Sequence, residues 1–325
     1  MKKVAINGLG RIGRAALKII IENDNLELVA VNDIVPVDNL VYLLKYDSVY
    51  GKYEKKVEGK EDSISIDGKD IKVYNKKDPA ELPWGDLGID TVIESTGIFT
   101  DKPGLQKHID AGARRAILSA PTKSEEVVTI VKGVNDSEDQ IISCASCTTN
   151  CITPVVEILS RRIGIKKAIM TTTHAYTSSQ SIVDSPQKKM RRGRAGAINI
   201  VPTSTGAAVA TTKVLTEFKG KFDGVALRVP IPVGSIADLV FVTEKETSVD
   251  EVNNIFIEES KTDRYKNILG VSADPLVSSD IIKDPHASVV DLGMTQVVDG
   301  DLLKVMSWYD NEWGYANQMV REIEG

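Results

Sequence analysis

A chain of 325 residues, 42% of them hydrophobic, can bury a sizeable core and by its length suggests two domains. A formal charge of −6 and a pI near 5.3 argue against a nucleic-acid partner. No apolar run approaches the roughly 20 residues that a membrane span needs, and Met1-Lys2-Lys3 leads directly into a strand-like segment rather than a secretory signal, so no membrane is expected and a cytoplasmic location is.

Val4 to Asn7 reads as a short buried strand and is followed by Gly8-Leu9-Gly10-Arg11-Ile12-Gly13. Apolar residues then recur at Ile12, Ala15, Ala16, Ile19 and Ile20, which is one face of a helix. A second strand, Leu26 to Val31, ends at Asn32-Asp33, and Asp33 lies 20 positions after Gly13. Strand, glycine turn, helix and acid together make a dinucleotide-binding fingerprint. Gly8, Gly10 and Gly13 permit a tight turn and a close approach of pyrophosphate to the helix start, and Asp33 can accept from the adenosine ribose. That carboxylate repels a 2′-phosphate, and Ile34, Val35 and Pro36 supply no cation to offset it, so NAD is expected over NADP. Leu40 to Ser48 reads as a helix, and Ser63 to Val73 as a hairpin around Asp67-Gly68. Asp90 to Gly97 and Arg115 to Pro121 are further buried strands ending in small residues, and such ends line the ligand crevice of a parallel sheet.

Asp139 to Ser143 reads as a strand running into Ser146-Cys147-Thr148-Thr149-Asn150, after which helical spacing continues to Leu159. A thiol placed there meets the free N–H groups and the positive dipole end of a helix, which favour thiolate. Cys144, Cys147 and Cys151 fall within eight positions and have no partner elsewhere, so they form no disulfide framework. A cysteine-held cluster would need a fourth thiolate, and no metal is expected. Three histidines bound the search for a base. His108 sits in a polar helical segment and His286 follows Pro285 in a loop, whereas His174 closes the strand Ala168 to Thr173 and can take the thiol proton.

The basic run Lys188 to Arg194 precedes Ile200 to Ala208, read as a hydroxyl- and glycine-rich turn suited to a tetrahedral anion, and Arg228 ends the strand Gly224 to Val229. Guanidinium groups bind phosphate through paired hydrogen bonds. Further strand-like runs cover Leu239 to Thr243, Ser288 to Leu292, Met294 to Val298 and Leu302 to Trp308, with a hairpin signal at Asp299-Gly300, so the second half should hold a largely antiparallel sheet. Gly314 to Glu324 has helical character. The fold class expected is therefore α/β, a doubly wound Rossmann sheet joined to an α+β domain.

Ala145-Ser146-Cys147-Thr148-Thr149-Asn150-Cys151 resembles the active-site signature of phosphorylating glyceraldehyde-3-phosphate dehydrogenases, and the likeness runs from Ile6-Asn7-Gly8 to Ser307-Trp308-Tyr309-Asp310-Asn311-Glu312-Trp313. The resemblance implies a NAD-binding domain over residues 1–147, a catalytic domain over 148–313, a terminal helix 314–325 packed back on the first domain, and a homotetramer. It implies Cys147 as nucleophile and His174 as base. Cofactor contacts would come from Gly8, Gly10, Arg11, Ile12, Gly13, Asp33, Lys77, Thr96, Ser119 and Asn311, with Asn311 on the nicotinamide carboxamide. Thr177 and Arg228 would hold the phosphate of glyceraldehyde 3-phosphate, Ser146, Arg192, Thr205 and Gly206 would serve the attacking inorganic phosphate, and Thr148 would be a further substrate or phosphate contact. Ser179 stands where many members carry an acid, and Val209 where many carry lysine. Erythrose-4-phosphate dehydrogenase shares the nucleophile and cofactor site, aspartate-semialdehyde dehydrogenase the cysteine-histidine logic. A nucleotide-binding redox sensor would need the thiol but not Arg192, Arg228 or Asn311.

Overall fold

The computed structural model describes residues 1–324; Gly325, the last residue of the expected terminal helix, lies outside the described residues. The chain divides into two compact units. One comprises residues 1–130, 137–145 and Met319 onward, the other residues 131–136 and 146–318.

In the first unit the apolar runs form a nine-stranded sheet in the order Val128–Thr129, Ile141–Ser143, Arg115–Leu118, Thr91–Glu94, Lys2–Asn7, Leu26–Asn32, Lys69–Tyr74, Ser63–Ile66 and Val57–Gly59. The strands from Val128–Thr129 through Lys69–Tyr74 pair in parallel, while the last two pair antiparallel. Parallel strands are covered on both faces, and Thr91–Glu94 is buried at every position. The expected hairpin forms at Asp67 and Gly68, both at positive φ (49° and 86°) as a type I′ turn requires. The helix expected over Leu40–Ser48 instead spans Val37–Lys45. Pro36 presets its entry, and Asp47 ends the helical run by accepting from the Val49 and Tyr50 N–H groups (2.9 and 3.1 Å). Near the C-terminus, Lys2 Nζ donates to Ile323 O at 2.7 Å and Arg115 pairs with Glu322 at 2.9 Å.

The second unit holds an eight-stranded mixed sheet ordered Val201–Ser204, Phe222–Val229, Ile165–Ala175, Ser235–Thr243, Leu302–Tyr309, Ser288–Asp291 and Leu269–Ser272, with Gln296–Val298 paired to Leu302–Tyr309. Most pairings are antiparallel, but Ile165–Ala175 with Phe222–Val229 and Leu269–Ser272 with Ser288–Asp291 are parallel. Parallel neighbours need a crossover; the helix Ala207–Val214 lies in the one from Ile165–Ala175 to Phe222–Val229, while the helix Val249–Glu259 lies between Ser235–Thr243 and Leu269–Ser272, and the sequence reading placed neither. Val201–Ser204 is a strand where a turn was expected, leaving only Thr205-Gly206 as the bend before the next helix. The helix Cys147–Arg162 buries Ile152, Val155, Val156 and Leu159 in one core with Leu239, Phe241, Leu303 and Val305. Burying each such side chain contributes about 1.5–3 kcal/mol, so the helix that starts at Cys147 is firmly seated.

Candidate active site

In the first unit Gly8, Gly10, Asp33, Lys77 and Thr96 surround one cavity of about 270 Å³, together with Asn7, Asn32, Lys76 and Ser95. Gly8 adopts φ +96°, and a Cβ there would meet Thr96 N at 2.7 Å; a Cβ on Gly13 would meet Gly8 O at 2.0 Å. Only glycine lets the turn and the helix Arg11–Ile21 close on each other this way. The N–H groups at the start of that helix, the open face of Gly10 and the half-buried Asp33 carboxylate suit a dinucleotide's pyrophosphate and ribose. Asp33 is set in place by the Leu9 and Val35 N–H groups, which donate to its two oxygens at 2.7 and 3.0 Å. The Arg11 side chain turns to Asp47 (2.6 Å), and Ile12 and Gly13 follow it in the first helical turn. Ser119 follows the strand Arg115–Leu118, and its N–H donates to Glu94 O at 2.9 Å. Lys77 is exposed on the cavity rim.

In the second unit Ser146 caps the helix Cys147–Arg162, its hydroxyl accepting from the Thr149 N–H at 3.2 Å. Cys147 is thus the first helical residue. Just before it Ala145, buried and not a glycine, is held at φ 55°, a strained conformation of the kind that collects at functional sites. Cys147 Sγ lies 3.4 Å from His174 Nε2. Nδ1 of the same ring lies 2.7 Å from Ala175 O, which answers a proton on Nδ1, and 2.7 Å from Arg228 Nη1, a donor that answers a bare Nδ1. With the proton on Nδ1, Nε2 faces the thiol as an acceptor.

Arg228 explains the electrostatics. His174 and Arg228 are register partners on neighbouring parallel strands, which brings Nη1 within 2.7 Å of Nδ1 and 3.0 Å of Ala175 O. Burial, and then the Arg228 charge, push the imidazole down to about 3, so it is a neutral base across the physiological range. Burial also pushes the Cys147 thiol up, against the pull of Arg228 and of hydrogen bonds from Thr148 and the backbone. Burial thus opposes the helix start, which favours thiolate, and His174 stands where it can take the thiol proton.

Among the phosphate candidates, Arg192 Nε donates to Thr203 Oγ1 (3.0 Å) and Nη1 to Ser179 Oγ (3.2 Å), and Ser179 bonds Thr177 (2.8 Å). The structure therefore brings Arg192 to Thr177 through Ser179. Arg228 Nε carries a buried N–H with no acceptor among the described residues, the kind of donor a phosphate oxygen would answer. Thr205 receives the Ala207 N–H (3.2 Å), and Gly206 is exposed at the cap of the helix Ala207–Val214. Asn311 Oδ1 accepts from Ser235 (2.9 Å), whose hydroxyl accepts from the Ala175 N–H (3.1 Å), so the Asn311 amide hydrogens turn away from Ser235.

Two groups were missed. Tyr309 is buried edge-on to His174, ring centroids 6.0 Å apart, and its hydroxyl bonds Thr148 and Thr172 at 2.9 and 2.8 Å. It backs the imidazole, and only its place next to Asp310-Asn311 hinted at this. Glu94 and His108 are both fully buried in the first unit; the polar helix around His108 gave no sign of it.

Residues 2–102 match the NAD binding domain of glyceraldehyde 3-phosphate dehydrogenase, and residues 146–311 match its C-terminal domain. A glyceraldehyde-3-phosphate dehydrogenase of Thermotoga maritima is 50% identical over 330 residues, spanning 100% of this chain and 98% of its own. One from Streptomyces coelicolor is 48% identical over 324 residues (98% and 96%), and one from Borreliella burgdorferi 48% over 328 residues (98% and 97%).

Proposed function

The chain belongs to the glyceraldehyde 3-phosphate dehydrogenase family, and on that premise we propose how its residues divide the work. The reaction is the NAD-dependent oxidative phosphorylation of D-glyceraldehyde 3-phosphate to 1,3-bisphosphoglycerate through a cysteine thioester. Bound NAD supplies the hydride acceptor. The observation that carries the assignment is the 3.4 Å contact between Cys147 Sγ, at a helix start, and Nε2 of a neutral His174.

His174 takes the thiol proton as Cys147 attacks the aldehyde carbon, and the imidazolium so formed stabilises the oxyanion together with the Cys147 N–H, a contribution of about 3–4 kcal/mol when aligned. His174 hands that proton to the oxyanion, giving the hemithioacetal hydroxyl, and as a neutral base again takes it back as hydride leaves the carbon, giving the thioester on Cys147. Inorganic phosphate, held by Ser146, Thr148, Thr205, Gly206 and Arg192, attacks the thioester carbonyl, and His174 returns the proton to the departing thiolate. Thr177 and Arg228 hold the substrate's own phosphate. The Arg192–Ser179–Thr177 contacts support a share for Arg192 in that pocket as well. The Asn311 amide serves the nicotinamide carboxamide, while Gly8, Gly10, Asp33 and Thr96 hold the rest of the dinucleotide.

The outer face of the second unit's sheet exposes Ile169, Val225 and Leu302, and Ile198, Ile200 and Val209 are exposed in the same unit. So much uncovered apolar surface supports a homo-oligomer, taken here as a homotetramer, working where glycolysis runs, in the cytoplasm. Steady-state rates with glyceraldehyde 3-phosphate and with erythrose 4-phosphate, each with and without inorganic phosphate, test the function: phosphate-dependent turnover favouring the triose is expected, and a preference for the tetrose or indifference to phosphate would overturn it.

A further inference from the structure

The first unit contains a fully buried carboxylate that the reaction does not use. Glu94 closes the strand Thr91–Glu94 at 0% exposure, and its two oxygens take four donors. Oε1 accepts the Thr96 N–H at 2.8 Å and the Thr96 hydroxyl. Oε2 accepts from Asn7 Nδ2 at 2.5 Å and faces His108 Nε2 at 3.0 Å. Trp84 Nε1–H donates to His108 Nδ1 at 3.1 Å, which places the ring proton on Nε2, pointing at Glu94.

The charge also dictates orientations beyond its own contacts. A carboxylate has only acceptors, so Asn7 must turn its NH₂ toward Glu94, and its Oδ1 is left to accept from Asn32 Nδ2 at 2.7 Å. Asn32 then offers Oδ1 to the Lys76 N–H at 2.8 Å while Nδ2 also reaches Lys76 O at 2.9 Å. A single ordered chain of polar groups thus runs from Glu94 across the ends of three neighbouring parallel strands to Lys76. Asn7, Asn32, Lys76 and Thr96 all line the 270 Å³ cavity. Thr96 is also the backbone against which Gly8 is closed, so the grip of Glu94 on Thr96 sets the wall that the dinucleotide meets.

We propose that Glu94 is the positioning residue of the cofactor site: it touches no part of the dinucleotide and, through Thr96, Asn7 and Asn32, fixes the wall that binds it. The proposal rests on the dinucleotide reading of this cavity. Glutamine is the informative replacement because it has the same shape and one acceptor fewer. Its NH₂ faces either the Thr96 N–H or the His108 and Asn7 donors, and the His108 proton cannot move to Nδ1 without meeting the Trp84 N–H. Either orientation leaves buried donors opposed, so the wall must shift.

The test is calorimetric titration of the full-length protein with NAD, for the parent chain, Glu94→Gln and Trp84→Phe, beside steady-state kinetics, thermal midpoints and the rate of Cys147 alkylation without NAD. Binding by the parent chain tests the dinucleotide reading separately. For Glu94→Gln we expect NAD bound about tenfold more weakly, a matching rise in KM for NAD, and unchanged kcat at saturation and alkylation rate. Trp84→Phe removes core packing and the donor to His108 Nδ1, but the Glu94 carboxylate still holds the ring proton on Nε2, so it should lower the thermal midpoint with the NAD affinity unchanged. Should Glu94→Gln not fold, Asn7→Ala, which cuts the chain between Glu94 and Asn32, is expected to weaken NAD in the same way. Parent-like affinity in whichever of these two variants folds, or a loss of affinity in Trp84→Phe that tracks its thermal midpoint, would overturn the proposal and leave Glu94 a structural core residue.

Discussion

The cofactor cavity and the thiol site treat buried polar atoms in opposite ways. Around the cavity the carboxylate of Glu94 is answered by four donors, and Asp33 is held by two backbone N–H groups before any ligand is considered. At the thiol site Arg228 presses on His174 and keeps a buried N–H unanswered, while burial holds Cys147 and His174 in their neutral forms. The first arrangement is a rigid mould, since each group is fixed by the next. The second is chemically poised, since the thiol and imidazole become an ion pair when a proton passes from sulfur to nitrogen across their 3.4 Å contact, and the guanidinium is ready to meet an anion. Substitutions at the two places should therefore fail differently, one in affinity and the other in turnover.

The largest separation is expected from Cys147→Ser, which should lower turnover by on the order of 10⁴-fold or more while leaving NAD affinity unchanged. Cys151→Ser should retain turnover, because burial pushes the Cys151 thiol up to about 12 and its sulfur hydrogen-bonds Ser288 and Ser307 in the core. Steady-state rates beside NAD titrations read both variants, and an active Cys147→Ser would break the contrast between the units. Next in size, His174→Asn should slow hydride transfer by about 10²–10⁴-fold and slow thiol alkylation at neutral pH, measured in single-turnover and iodoacetamide assays. Parent-like alkylation would show that another group takes the proton.

Much of this division was legible in the sequence because it follows from local pattern. Gly8, Gly13 and Asp33 are fixed by one strand-turn-helix-strand unit, and Cys147 and His174 each mark the end of an apolar run. What was not legible depends on segments far apart in the chain. His108 lies in a polar helix, and its burial comes from Trp84 and Glu94, which arrive from other elements. Val201–Ser204 carries a proline and hydroxyls and so read as a turn, yet it lies on the edge of the sheet, where a missing N–H is tolerated. The thiol's full electrostatics were not legible either, because Arg228 meets His174 through strand register and burial opposes the helix start.

The arginines sharpen the picture at intermediate size. Arg228→Ala should raise KM for glyceraldehyde 3-phosphate by about 10–100-fold, the loss of a charged hydrogen-bonding group, and Arg192→Ala should raise the inorganic phosphate requirement by about tenfold. Initial-rate grids in both ligands separate them, and equal effects of each variant on both ligands would merge the two pockets. In the cofactor mould, Asp33→Ala should shift the kcat/KM ratio toward NADP by about tenfold, by removing a like charge from the 2′-phosphate. Parity between the two cofactors in the parent chain would refute the role given to Asp33.

The buried imidazole also acts on stability. His174 titrates at about 3 in the fold against an ordinary 6.5. As pH falls below about 6.5 the unfolded chain binds a proton that the folded site refuses, so this residue should erode stability by up to about 1.4 kcal/mol per pH unit down to about 3, and contribute no slope above 6.5. Denaturant midpoints across pH 3–8 should fall less steeply on the acid side for His174→Asn than for the parent chain, and parallel curves would show that the imidazole is not held neutral.

The assignment of nucleophile and base is tested most directly by trapping the acyl enzyme: the protein is mixed with NAD and glyceraldehyde 3-phosphate in phosphate-free buffer, quenched in acid and mapped by peptide mass spectrometry. We expect one phosphoglyceroyl adduct per chain, on Cys147, discharged when inorganic phosphate is added and formed far more slowly in His174→Asn. An adduct on Cys144 or Cys151, or full turnover with no adduct at all, would contradict it.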